Sequence, residues 1–306
     1  MITIFQKTVK DAELKKLPEF RVGSWIYVES PSPEEVLTLT SQFGLEEGYL
    51  KDALDPYEVP RVEMEESGAY FFTRLPFQEN DHVITAPMLI VIGIDFLMTV
   101  SQRPLPFLEK FVSGRVHVAT TQKIKLFLQI VQEVNSLYSK FVTAISKNVR
   151  ATSVNVERIS NKDIVQFVRF EGALNDFMGA LVPSNVMLSN LLSGKSLQLY
   201  EEDKDLMEDL SLHAGQLVEL CRSSLKTIVN IREAYSTIVT NNLNRVIKFL
   251  TALTILLTVP TMIASLYGMN VPLPLADSPF AFWIILGSVL GISGTLLWVF
   301  SKNRWF

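Results

Sequence analysis

The chain has one cysteine, Cys221, in 306 residues. No intrachain disulfide can form, so nothing in the chain calls for an oxidising compartment. Its three histidines, His82, His117 and His213, are far apart, and a lone cysteine cannot complete a thiolate cluster. That argues against a high-affinity zinc site of ordinary type within one chain. There is no basic excess either: 28 Lys and Arg against 32 Asp and Glu give a net charge of −4, which argues against a nucleic-acid surface. The opening residues, MITIFQKTVKDAELKK, lack a basic segment followed by an apolar core. No signal peptide is expected, and the N-terminal part is expected in the cytosol. Gly194-Lys195-Ser196 ends like a phosphate loop, but Ser189 stands where its first glycine is needed, so no nucleotide is expected. With no nucleophile–base or cofactor constellation visible, the chain does not read as an enzyme.

The most telling absence is of charge. Residues 249–276 hold no Asp, Glu, Lys, Arg or His, and neither do residues 278–301. Each run is long enough to cross a hydrocarbon core, which takes about 20 apolar residues in a helix. Arg245 and Lys248 precede the first run, Lys302 and Arg304 follow the second, and Asp277 alone lies between them. The positive-inside rule then places both termini in the cytosol, with Arg245, Lys248, Lys302 and Arg304 as an inner basic ring.

Glycine and proline are scarce just ahead of this. From Glu201 to Leu266 there is only Gly215 and only Pro260. The stretch predicts one helix about 100 Å long at 1.5 Å per residue. Such a helix needs partners along its length, because helices owe most of their stability to packing. Self-association is the natural supply.

What is present upstream divides in two. Residues 1–120 read as α/β, with strands over Ile2–Phe5, Trp25–Val28, Tyr70–Phe77, Val83–Ile92 and Phe96–Val100. Ser32-Pro33-Glu34-Glu35 is a helix start: a serine cap, proline next, then acids. Residues 121–200 read as a helical hairpin, with apolar residues from Ile124 to Phe141 at three- and four-residue intervals. Ser160-Asn161-Lys162-Asp163 is a second capped start. Gly194 marks a stop and Pro183 a kink or break. The rest divides as a long helix at 201–267 including the first span, a loop at 268–279, a second span at 280–301 and a basic tail at 302–306.

Within the first span, Thr251, Thr254, Thr258, Thr261 and Ser265 recur at intervals of 3, 4, 3 and 4, which puts five hydroxyls on one face. Asn244 lies on that face seven residues earlier. One reading is a lining for hydrated ions. The other is that each hydroxyl bonds the carbonyl one turn back, or serves helix packing. One stripe cannot enclose a channel, so a conductor must be a ring of subunits with the first span innermost.

The residues around this stripe resemble the CorA family of divalent-cation (magnesium) channels, the two-span Gly-Met-Asn type. Val259-Pro260-Thr261 and Tyr267-Gly268-Met269-Asn270 carry the resemblance between two terminal spans. Upstream, Leu50-Lys51-Asp52-Ala53-Leu54-Asp55 followed by Pro60-Arg61-Val62-Glu63 is similar to the family's acidic helix and its proline–basic–acid strand start. The resemblance covers essentially the whole chain. It implies an α/β cytosolic domain, a long helical stalk and two C-terminal transmembrane helices, assembled as a funnel-shaped homopentamer in the cell (inner) membrane.

By position, the resemblance implies that Gly268, Met269 and Asn270 form the selectivity filter. It places Asn244 at an inner asparagine ring and Ile247 and Leu250 at a hydrophobic constriction. Thr254, Thr258, Thr261 and Ser265 take further pore-facing positions. Asp52 and Asp209 imply a regulatory site between subunits, where cytosolic Mg²⁺ holds the channel closed. Mg²⁺ is thus both transported and regulatory. The loop departs from the best-known members: Val271-Pro272-Leu273-Pro274-Leu275-Ala276-Asp277 stands where they carry glutamates. Transport of Zn²⁺, Co²⁺ or Ni²⁺ by the same architecture, with or without proton coupling, therefore stays open. So does a non-conducting Mg²⁺ sensor or scaffold.

Overall fold

A computed structural model describes every residue except 81, 154–158, 193–199, 272, 275–277, 304 and 306. Gly194-Lys195-Ser196, Asp277 and Arg304 lie outside the described residues. By its contacts the chain forms two compact units, Met1–Asn230 and Ile231–Phe306.

The first unit is built on a seven-stranded sheet. Its strands are β1 (Ile2–Gln6), β2 (Lys15–Leu17), β3 (Ser24–Glu29), β4 (Arg61–Glu65), β5 (Gly68–Glu79), β6 (His82–Gly93) and β7 (Phe96–Ser101), in the order β2-β1-β3-β7-β6-β5-β4. Every neighbouring pair is antiparallel except β3 and β7. A parallel pair needs a crossover, and the long excursion through β4, β5 and β6 provides it.

Alternation along the strands sends side chains to two cores. On one face Ile26, Val28, Tyr70, Phe72, Leu89, Val91, Met98 and Val100 meet Val36, Leu39, Leu50 and Ala53. Val36 and Leu39 come from α1 (Pro33–Phe43), Leu50 from α2 (Glu47–Asp52), and Ala53 directly follows α2. The α1 start is the expected one. The Glu35 N–H donates to Ser32 Oγ at 3.2 Å and the Ser32 N–H to Glu35 Oε2 at 2.9 Å. That second bond holds the Glu35 carboxyl below the usual range. Gly44, at φ 63°, closes the helix.

On the other face the Trp25 indole lies against Phe5 and Phe111, and Phe71 meets Phe127 at 4.5 Å. Buried Tyr138 donates to the carbonyl of Arg74 at 3.0 Å. The helices on this side are α3 (Leu108–Val112), α4 (Lys123–Ser153) and α5 (Asn161–Leu192). Ser160 caps α5: its N–H and its hydroxyl both donate to Asp163 Oδ2, at 2.8 and 2.7 Å. The break expected at Pro183 is absent, since α5 runs through it. The lost N–H is offset by burial of Phe177, Ala180, Leu181, Met187 and Leu188 around it.

The last long helix, α6, runs Glu201–Tyr267 without interruption. The division between units falls inside it, at 230/231. The reason is burial: Met207, Leu210, Ala214, Leu217, Cys221 and Ile228 belong to the core of the first unit. There the Asn135 amide donates to the buried carbonyl of Leu210 at 3.1 Å. The second unit holds the rest of α6 and α7 (Ala281–Lys302).

Candidate pore helix and carboxylate site

Residues from α6 and α7 supply two apolar windows with mean hydropathy 2.0 and 1.9, and little of either is covered within the chain. Exposed apolar area on that scale marks a lipid or protein partner. Aromatic residues bracket α7, with Phe280, Phe282 and Trp283 at one end and Trp298 and Trp305 at the other. Trp283 and Trp298 are about 23 Å apart along the axis, a spacing suited to two interfacial belts. The Lys302 ammonium lies 4.9 Å over the Trp298 ring, and Phe300 stacks on Trp305.

The covered positions of the first span fall on one side. Ala252 is fully buried, and Ile255, Leu256, Val259, Pro260 and Ile263 are half-buried. On α7 the covered positions are Ala281, Ile285, Val289, Ser293, Leu296 and Phe300, again one face. A cavity of about 470 Å³ lies between the helices near Tyr267, lined by Pro260, Ala264, Phe282 and Ile285 among others. At 3.6 residues per turn the hydroxyl stripe is roughly 150° around α6 from its covered face. Thr251, Thr254, Thr258, Thr261 and Ser265 are all exposed. With Asn244 and Ile247 they form an unbroken 3-4 repeat over 244–265, the period that lets helices share a long seam. Leu250 flanks this seam and is 54% exposed.

The two readings of the hydroxyls turn out to be compatible. Thr251, Thr254 and Thr261 donate to the carbonyls of Ile247, Leu250 and Leu257, each at 2.8 Å. Their protons are used inside the helix, while each oxygen keeps lone pairs. What such a face offers outward is acceptors, which suits the water protons around a hydrated cation.

Beyond Tyr267 the helix ends. The Gly268 N–H is shared between the carbonyls of Ala264 and Ser265, at 3.0 and 3.2 Å. Gly268 is not among the positive-φ glycines, so it closes the helix without a left-handed turn. Met269 and Asn270 follow, exposed. The Tyr267 hydroxyl donates to the Pro274 carbonyl at 3.3 Å and ties the loop back to the helix. Of the expected basic ring, Arg245, Lys248 and Lys302 are exposed.

The first unit carries the other candidate. Asp52 is the last residue of α2, and its Oδ2 accepts from Arg61 Nη2 at 2.7 Å. Arg61 also pairs with Glu58 through Nη1 and with Glu63 through Nε at 3.1 Å, and its guanidinium lies 4.0 Å over the Phe72 ring. Three carboxylates around one guanidinium leave a local excess of two negative charges. Asp209 is exposed on α6 and makes no ion pair among the described residues. Among the described residues no three His, Cys, Asp or Glu side chains gather as a metal cage. Sequence reading missed Arg61 as the partner of Asp52, since ion pairs across a turn leave no periodic trace. Burial pushes the Cys221 thiol up to about 12, so the lone cysteine is unreactive at neutral pH.

An α/β unit followed by two long apolar helices, the first with an acceptor-lined exposed face, fits the two-span class of membrane cation transporters. The chain belongs to the family of CorA-like Mg²⁺ transporter proteins, whose model matches residues 21–302. It is 24% identical over 294 residues to the cobalt/magnesium transport protein CorA of Methanocaldococcus jannaschii, covering 92% of this chain and 90% of that one. Against the cobalt/magnesium transport protein CorA of Thermotoga maritima it is 20% identical over 309 residues, covering 97% and 88%. The complete structure of the Methanocaldococcus jannaschii CorA magnesium transporter superposes with a TM-score of 0.86 at 21% identity, over 100% of this chain and 99% of that one. The protein is thus a membrane divalent-cation transporter.

Proposed function

We propose that five copies of this chain form a ring in the cell (inner) membrane and conduct Mg²⁺ inward along α6. The observation that carries this reading is the 3-4 repeat from Asn244 to Ser265, on the side of α6 turned away from the covered face. A ring of such helices encloses a lumen lined by hydroxyl and amide acceptors. Both termini are cytoplasmic in this reading, with Arg245, Lys248 and Lys302 at the inner side.

Mg²⁺ gives up water reluctantly and travels with much of its shell. Asn270, at the outer mouth, accepts hydrogen bonds from that shell through a neutral carbonyl. A neutral ring binds weakly enough to release, whereas a carboxylate ring would hold a divalent ion. Ile247 and Leu250 form the apolar constriction and gate by dewetting. The membrane potential supplies the drive, about 5 kcal/mol for two charges per 100 mV, so transport needs no catalysis and no nucleotide.

Closure comes from Mg²⁺ held between Asp52 of one copy and an Asp209 side chain of the next. The donor set fits that ion: one or two carboxylates with retained water are its usual ligands, and Asp52 is 43% exposed.

Flux into liposomes tests the ion and the drive together. Under an inside-negative potential Mg²⁺ uptake should grow with the potential and be indifferent to a pH gradient. Uptake that favours Zn²⁺ or Co²⁺ and requires a proton gradient would replace this reading with a proton-coupled transporter of the same architecture. No flux of any divalent ion would leave a sensor or scaffold.

A further inference from the structure

We propose that Arg61 sets the Mg²⁺ concentration at which the channel closes, by competing for the Asp52 carboxylate. The inference rests on the Asp52–Asp209 reading above. Arg61 opens β4 directly opposite Phe72 of β5, so its guanidinium is laid on that ring by strand register. Two further carboxylates, Glu58 and Glu63, hold the same fork. The chain between α2 and β4 is itself tied, with the Asp55 N–H donating to the Asp52 carbonyl at 3.0 Å and the Glu58 N–H to the Asp55 carbonyl at 3.1 Å. Glu58, 13% exposed, and Arg61, 28% exposed, are the better buried members of the group.

Arg61 is therefore anchored at three places that do not involve Asp52. A divalent ion arriving at Asp52 meets a fixed positive charge 2.7 Å from one carboxylate oxygen. It must share the carboxylate through the other oxygen or break the pair. Either way the protein's own cation lowers the site's affinity, and closure waits for a higher cytosolic Mg²⁺ level. The arginine fork suits this role better than lysine, because a planar guanidinium can serve a ring face and several carboxylates at once.

The test is Mg²⁺ inhibition of the full chain in liposomes, titrated from the cytosolic side. Arg61→Gln keeps donors and removes the charge, and should lower the half-inhibitory concentration about tenfold, within the usual range of coupling between sites. Arg61→Lys keeps the charge and should stay within a few-fold of the native chain. Where the glutamine variant does not assemble, Arg61→Met keeps the apolar stem over Phe72 and should show the same shift. An unchanged or raised half-inhibitory concentration in an assembled, uncharged variant overturns the inference. A native chain that Mg²⁺ does not inhibit overturns the regulatory reading itself, and that outcome is visible without any variant.

Discussion

Asn270→Ala should lower Mg²⁺ flux into liposomes at least tenfold while the protein still folds and assembles. Asn270 is exposed beyond the end of α6 and makes no contribution to a core, so its loss costs little stability. Its proposed work is done on the ion's hydration shell. Water bound to a divalent cation is a strong donor, and hydrogen bonds to charged groups contribute about 1.5–3 kcal/mol each. Removing even one such bond's worth at the entrance is about a tenfold effect, and a ring loses several at once. Asn270→Asp separates acceptor from charge. It keeps an oxygen but adds a negative charge per subunit, and should bind Mg²⁺ more tightly and pass it more slowly. Unchanged flux in both variants would remove Asn270 from the pathway.

Asp209→Lys should leave the channel conducting at millimolar cytosolic Mg²⁺. Asp209 is exposed on the part of α6 that belongs to the first unit, between buried Met207 and Leu210. The substitution therefore spares the core. It removes one of two proposed carboxylates and puts a cation where the regulatory ion would sit. The half-inhibitory concentration should rise by more than tenfold, in the opposite direction to Arg61→Gln. Patch recordings in which Mg²⁺ inhibits Asp209→Lys as it does the native chain would contradict the assignment. The neighbouring acids Glu201, Glu202, Asp205 and Glu208 are exposed, and solvation accounts for them.

Much of the architecture is written in local pattern. The five strands read from β-branched and aromatic runs all appear, each extended by one to four residues. The two strands that apolar alternation does not show are the edges of the sheet, β2 and β4, and of these β4 was expected only through the resemblance at Pro60–Glu63. Their sequences, Lys15–Leu17 and Arg61–Glu65, are short and charged. That is how edge strands avoid pairing with other chains, and it hides them from a search for apolar alternation. The length of α6 was legible because glycine and proline are so scarce in it. Of the kink or break read at Pro183 the break does not occur, because proline's cost to α5 is local while the packing that offsets it comes from distant residues.

The site was legible to a lesser degree. Spacing alone gives the five hydroxyls and Asn244, since they lie on one helix, whereas Ile247 entered through the resemblance. The opposite placement of the covered face requires α7, which no spacing within α6 reveals. The Asp52–Arg61 pair depends on a turn and on β4–β5 register, and neither is periodic.

In the proposed pathway the hydroxyl face of α6 lines the ion's route, and the chain is well suited to a direct test. Its single native cysteine, Cys221, is fully buried with a thiol pushed up to about 12, so it should be silent to thiol reagents. Thr258→Cys would place the one reactive thiol on the exposed stripe, and Leu256→Cys would place it on the covered face. A cationic thiosulfonate reagent should block Mg²⁺ flux through Thr258→Cys and leave flux through Leu256→Cys and the native chain unchanged. Flux through Thr258→Cys that survives complete labelling would take this face of α6 out of the ion pathway.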